Sequence, residues 1–182
     1  MLQKSVSLQN LPIRTDQKDA VADAHTHLDL LTDPSLIKKS IELGVTTIIT
    51  CGTNIETSLK ALSIADGAFI FPEVGLDPQN AIFSHSEIDK MCGIAEKNKD
   101  IIVGIGEIGL DYKYAISKED RKLQLDTFMQ MVDLAIRLRK PITVHSRDSM
   151  ADVLDALRSS GAKKVQLHYF EGNERDARNA AD

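Results

Sequence analysis

Four of the five histidines in this 182-residue chain stand where a side chain could do chemistry. His25 and His27 are two residues apart in the stretch DAHTHLD. In an extended backbone residues i and i+2 point to the same side, so the pair can aim two imidazoles at one point while Thr26 turns away. Glu107 in GIGEIGLDY, His145 in ITVHSRDS and His168 in VQLHYFEG are further residues of metal-ligand type, each closing an apolar run. A carboxylate can bridge two cations. That gives Glu107 a place between the His25–His27 pair and a second site completed by His145 and His168. Imidazoles with one carboxylate suit two divalent ions, whether Zn²⁺, Mn²⁺ or Mg²⁺. The fifth histidine, His85 in FSHSEID, reads as a surface or capping residue in a loop before a helix.

The elements that must position these residues repeat along the chain. Strands are predicted at Val21–His25, Val45–Cys51, Ala68–Val74, Ile101–Glu107, Ile142–His145 and Val165–His168. Most are continuous apolar runs, the pattern of strands buried on both faces. Helices alternate with them. Asp33-Pro34 reads as an N-cap with proline at the first helical position, and Gly44 as that helix's C-terminal glycine. Thr53 and Glu56 have capping-box spacing. A third helix is predicted over Glu87–Lys97, with Lys97 and Lys99 as its solvated end. The fourth, Lys118–Arg139, carries Leu125, Phe128, Met129, Val132 and Ile136 as one apolar stripe and is stopped by Pro141. A fifth spans Asp148–Ser159, and a sixth begins near Asn173. Six strands in strict alternation with helices imply a parallel α/β sheet, doubly wound or closed as a barrel. No glycine-rich dinucleotide fingerprint follows the first strand, which disfavours the doubly wound form. In a parallel barrel the strand carboxyl ends converge on one face, and the candidate ligands all fall there.

Composition sets outer limits. The chain is 42% apolar and 27% charged, ordinary for a globular protein with a substantial core. A net charge of −5 argues against a basic protein that coats duplexes. Cys51 and Cys92 make no disulfide framework and read as small core residues in a reducing compartment. No apolar run reaches membrane-spanning length and the N-terminus lacks an apolar signal centre, so the expected location is the cytoplasm. Residues 1–19 read as a tail or edge segment, and 20–182 as a partial barrel domain.

The motifs DAHTHLD, GEIGLDY, VHSRDS and HYFEG, in this order, resemble those of the TatD family of metal-dependent deoxyribonucleases, within the amidohydrolase superfamily of (β/α)₈ barrels. The resemblance implies that His25 and His27 bind the first metal, that Glu107 bridges, and that His145 and His168 complete the second. It implies a hydrolase that cleaves phosphodiester bonds of DNA through a metal-activated water, and the acidic net charge favours an end or short single strand as its substrate. Amide or ester hydrolysis, or a truncated barrel without turnover, are the alternatives. The chain departs from the family at VGLDPQN, where Asp77 stands in place of the usual histidine; an aspartate can serve as oxygen ligand or base. The family's eighth strand supplies a metal-ligating aspartate that this sequence does not contain. Residues 1–182 are accordingly expected to be an incomplete folding unit, with strands one and six as free edges. Arg147, two residues after His145, suits a substrate phosphate or an ion pair with Asp148 or a helix-start carboxylate. Asp29 and Asp111 suit either hydrogen bonds to metal-ligand histidines or capping of their own turns. Tyr112, Tyr114 and Tyr169 suit base stacking, with packing favoured for two of the three.

Overall fold

A computed structural model describes residues 20–82 and 87–181. The expected tail at 1–19 and His85 lie outside the described residues. Along the chain run β1 (Val21–Thr26), α1 (Ser35–Glu42), β2 (Val45–Cys51), α2 (Ile55–Ile64), β3 (Ile70–Val74), α3 (Pro78–Ala81) and α4 (Ile88–Lys97). Then come β4 (Gly104–Asp111), α5 (Lys118–Leu138), β5 (Ile142–Arg147), α6 (Met150–Ser160), β6 (Val165–His168) and α7 (Glu174–Ala181). All six strands pair in parallel in the order β1-β2-β3-β4-β5-β6. The sheet curls until the carboxyl ends of its edge strands meet: His25 on β1 stacks on His168 of β6 with ring centroids 3.8 Å apart. This is the expected partial (β/α)₈ barrel, with about six units present.

The core lies where the sheet is most enclosed. All eight residues of β4 are buried, whereas β1 is largely exposed along its edge. Ile105, Ile108 and Leu110 of β4 pack with Phe128, Met131 and Val132 of α5 in one apolar cluster. None of the residues described in α7 is buried. Among the described residues no helix is long and apolar enough to cross a membrane.

Several element boundaries differ from the sequence-based expectation, each for a local reason. The fourth strand is Gly104–Asp111, not Ile101–Glu107. Ile101 and Ile102 donate their N–H groups to the Asn98 carbonyl and so belong to the turn that ends α4. The ladder with β3 starts only at Glu73↔Gly104, and pairing with β5 carries the strand past Glu107 to Asp111↔Arg147. The third strand starts at Ile70 rather than Ala68, because the Asp66 carboxylate captures the N–H groups of Ala68, Phe69 and Ile70 in a turn. The capping box of α2 is Asn54 with Thr57, one residue beyond the expected pair. Helix α6 begins at Met150, after Asp148 takes a positive φ of 52°.

The buried face of α5 is also shifted. Phe128 and Val132 are buried as expected, but Leu125 and Ile136 are 36% and 43% exposed. The buried positions are Gln124, Thr127, Phe128, Met131, Val132, Leu134 and Ala135, a helical face that starts with two polar residues. Gln124 sets this orientation. Its amide donates to the carbonyls of Pro78 and Asp111, and its carbonyl accepts the Asp111 N–H.

Candidate metal centre

The barrel brings His25, His27, Glu107, His145 and His168 together at the carboxyl end of the sheet. Two ligand groups result, His25–His27–Glu107 and Glu107–His145–His168, each with its ligand atoms within 4.8 Å of one another. Glu107 is common to both. It is the fourth residue of β4 and lies at a shift in register between Ile105 and Ile108. Its Oε2 lies 3.2 Å from His27 Nε2 and 3.5 Å from His25 Nε2, and its Oε1 lies 2.9 Å from His145 Nδ1. His145 and His168 pair directly across β5 and β6, which puts them level.

The protein holds the far side of three rings. His27 Nδ1 donates to the Cys51 carbonyl at 2.9 Å. His145 Nε2 faces the buried Asp111 carboxylate at 3.0 Å. His25 Nδ1 meets the Cys51 thiol at 3.2 Å. In each case the other nitrogen points toward Glu107. His25 Nε2 is buried without a hydrogen-bond partner among the described residues. An unsatisfied buried nitrogen costs about 1–3 kcal/mol. A divalent cation would satisfy it, and the imidazole and carboxylate donors fit Zn²⁺ or Mn²⁺. The residues present therefore fit a metal centre.

Electrostatics agree with that fit. Burial pushes the Glu107 carboxyl up, but the imidazoles of His145, His25 and His27 beside it outweigh that and hold the group ionised, well below the usual range. Glu107 in turn raises His27 through its hydrogen bond. Burial lowers His145, but Glu107 and then Asp111 reverse the sign and leave it raised. His168 is lowered by burial and by neighbouring His25.

The other predicted site residues fall around this cluster. Asp77 caps α3: its Oδ1 accepts from the Asn80 backbone and side-chain amides at 2.7 and 2.8 Å. Burial raises its carboxyl, and it is close enough to feel the charges of Glu107 and His145. Arg147 ends β5 and lies over the Tyr169 ring, 5.3 Å from its centroid. Among the described residues it makes no ion pair, so the expected alternative of a bridge to Asp148 is not what holds it. Tyr169, with a positive φ of 54°, stacks on His145 at 5.6 Å. Tyr112 packs under Arg121 and donates to Asp152, while Tyr114 is exposed rather than packed. Asp111 does both things open to it: Oδ1 accepts the Lys113 N–H and Oδ2 holds His145. Asp29, in the 3-10 turn Leu28–Leu30, contributes charge toward His27.

Two residues escaped the sequence reading. Glu73 is 3% exposed on β3, inside the apolar run FIFPEVG; an acid within a buried strand was the available signal. Cys51, read as core filler, is fully buried, but its thiol donates to Glu73 Oε2 at 3.1 Å. Its partners come from other strands, and no local pattern reveals them.

Comparison with known proteins gives this geometry its setting. A protein of Buchnera aphidicola named as an uncharacterized metal-dependent hydrolase is 34% identical over 172 residues, which cover 83% of this chain and 62% of that one. Human deoxyribonuclease TATDN3 is 27% identical over 167 residues, covering 84% and 61%. The chain thus spans about 61–62% of the length of these curated relatives. The crystal structure of YjjV, a TatD homolog from Escherichia coli, matches with a TM-score of 0.75 at 22% identity, over 88% of this chain and 64% of that one. The family model for TatD related DNase matches residues 22–182, and the chain belongs to that family.

Proposed function

We propose that this chain carries the metal-binding part of a metal-dependent hydrolase that cleaves phosphodiester bonds in DNA, at ends or in single strands. The observation that carries this reading is the shared carboxylate: Glu107 belongs to two ligand groups at one end of the barrel. His25, His27 and Glu107 would hold one divalent cation, and Glu107, His145 and His168 a second. Such cations supply Lewis acidity at a phosphoryl oxygen and a lowered pKa for the attacking water.

The chain's own residues prepare that chemistry. The histidines keep Glu107 ionised, so it needs no proton loss to serve both groups. Arg147, held over Tyr169 on the rim, offers a guanidinium to a substrate phosphate. Asp77, a buried carboxyl with raised proton affinity, would take up a proton during the reaction. A net charge of −5 disfavours a long duplex laid across the surface and favours an end or a single strand entering at the mouth.

The test is activity on single-stranded and duplex oligonucleotides with Zn²⁺, Mn²⁺ or Mg²⁺, beside small amides and esters. Glu107→Gln should lower metal-dependent DNA cleavage by roughly 100-fold or more, at or beyond the top of the 10–100-fold range for groups behind the ligands. Turnover of amides or esters with no cut oligonucleotide under any metal would replace this reading with that of an amide or ester hydrolase.

A further inference from the structure

The thiol of Cys51 has neighbours that ordinary core packing does not require. It stands at the end of β2, level with Glu73 on β3, where the ladder pairs the two residues. On one side Sγ lies 3.2 Å from His25 Nδ1, and on the other it donates to Glu73 Oε2 at 3.1 Å. The His25 side chain is only 8% exposed, and Cys51 and Glu73 are at 0% and 3%. Space for the acid is made by β4. A Cβ at Gly104 would lie 2.1 Å from Glu73 Oε1, and one at Gly106 would lie 2.8 Å from Oε2. The strand has thus left out two side chains where a carboxylate stands beneath the histidines.

We propose that Cys51 is a positioning residue for His25: its sulfur accepts the Nδ1–H, its S–H is held by Glu73, and the Nε2 lone pair is thereby kept for a cation. The proposal rests on the metal-centre reading above. The sulfur touches the ring at Nδ1, on the side away from Glu107. For the same reason the thiol is not itself one of the ligands. A hydrogen-bond chain of opposite sense would put a proton on Nε2, the nitrogen that is buried without a partner among the described residues. One residue thereby sets both rings of the first pair, since the Cys51 carbonyl already fixes Nδ1 of His27. Glu73 is the anchor of this arrangement: without an acceptor for the S–H, the thiol is free to turn and donate to His25 instead.

The tautomer can be read directly. Histidine-labelled metal-free chain, held at about pH 8 where ordinary histidines are neutral, is compared by long-range ¹H–¹⁵N correlation with His25→Gln to assign the signal. His25 should be in the Nδ1–H form. In Cys51→Ala the two tautomers should mix, and affinity for Zn²⁺ or Mn²⁺ at the first site should fall about 10–100-fold. Cys51→Ser, whose hydroxyl can accept and donate in the same places, should restore the tautomer and most of the affinity. An Nε2–H signal in the unaltered chain overturns the proposal, as does Cys51→Ala with tautomer and affinity unchanged. If Cys51→Ala does not fold, the unaltered chain and Cys51→Ser still decide it. The tautomer is measured without metal, so a chain that binds no cation defeats the metal-centre reading while the signal separately upholds or overturns the role of Cys51.

Discussion

Three of the four clustered histidines have one ring nitrogen tied to the protein and the other turned toward Glu107. The tie decides which nitrogen carries a proton, and so which can offer a lone pair. The anchors differ in strength: a carbonyl for His27, a thiol for His25 and a buried carboxylate for His145. Asp111→Asn is therefore an informative change. An amide can present its NH₂ to Nε2, which moves the imidazole proton to Nδ1 and blocks the nitrogen facing Glu107. We expect affinity at the His145–His168 site to fall about 10–100-fold with the His25–His27 site little changed. Titration calorimetry with Mn²⁺ or Zn²⁺ would show it, and equal losses at both sites would point to a general disturbance instead. At this scale the sequence announced the histidines and Glu107 through their places after apolar runs. Asp111 was visible as one of two roles open to it, but Cys51 and Glu73 were not, because they reach their partners from neighbouring strands.

Among the elements, β4 and α5 do most to position the centre, and Gln124 fastens one to the other. Its side chain is fully buried and serves three backbone groups, on Pro78 and Asp111. Gln124→Leu would keep the volume and strip all three of their partner. Each buried polar group left unpaired costs about 1–3 kcal/mol, so a loss of roughly 2–4 kcal/mol is expected after partial relaxation. Urea unfolding measures it, and a loss below about 0.5 kcal/mol would show that water replaces the amide. The case also explains a misread helix face. Counting only apolar residues as buried selects Leu125 and Ile136, whereas the true face begins at Gln124 and Thr127. Hydrophobic periodicity located the helix but could not orient it, because the deciding contact is polar. The apolar run at Ile101 misled in the same way: hydropathy marks burial, whereas the start of a strand is set by where its neighbour can pair.

For the molecule as a whole, the cluster links folding to protons and to cations with opposite signs. Without metal, His27 and His145 are raised above the ordinary 6.5 by Glu107, despite the burial of His145. A raised folded value gives stability that is fully present below 6.5 and is lost as pH climbs through the folded value. His168, lowered by burial, has the reverse sign and acts only below 6.5. Glu107, held well below its ordinary 4.5, keeps its share above 4.5, loses it progressively as pH falls below that, and is flat near neutrality. Metal-free stability should therefore decline as pH rises above 6.5. With Zn²⁺ or Mn²⁺ in excess it should increase over the same range, because ligand imidazoles must be unprotonated to bind. Denaturation curves with chelator and with metal should diverge. Parallel curves would mean that the cluster binds no cation.

The two glycines of β4 that lie against Glu73 bear on how this sequence can change over generations. At Gly104 a methyl group would fall 2.1 Å from a carboxylate oxygen that is itself enclosed, so Gly104→Ala must expel the acid or distort the strand. Remove the acid first and the same methyl enters space already vacated. The order of events then matters: either step alone is a loss, while the pair is partly self-correcting. A four-protein cycle of Gly104→Ala, Glu73→Ala, the double variant and the parent should show a favourable coupling of about 1–3 kcal/mol in stability. Additive effects would show that the acid moves aside at no cost. A favourable coupling makes the buried glutamate and its glycine a single heritable unit. Lineages that carry the acid would be barred from alanine at position 104 until they give the acid up, and lineages already filled there could not acquire it in one step.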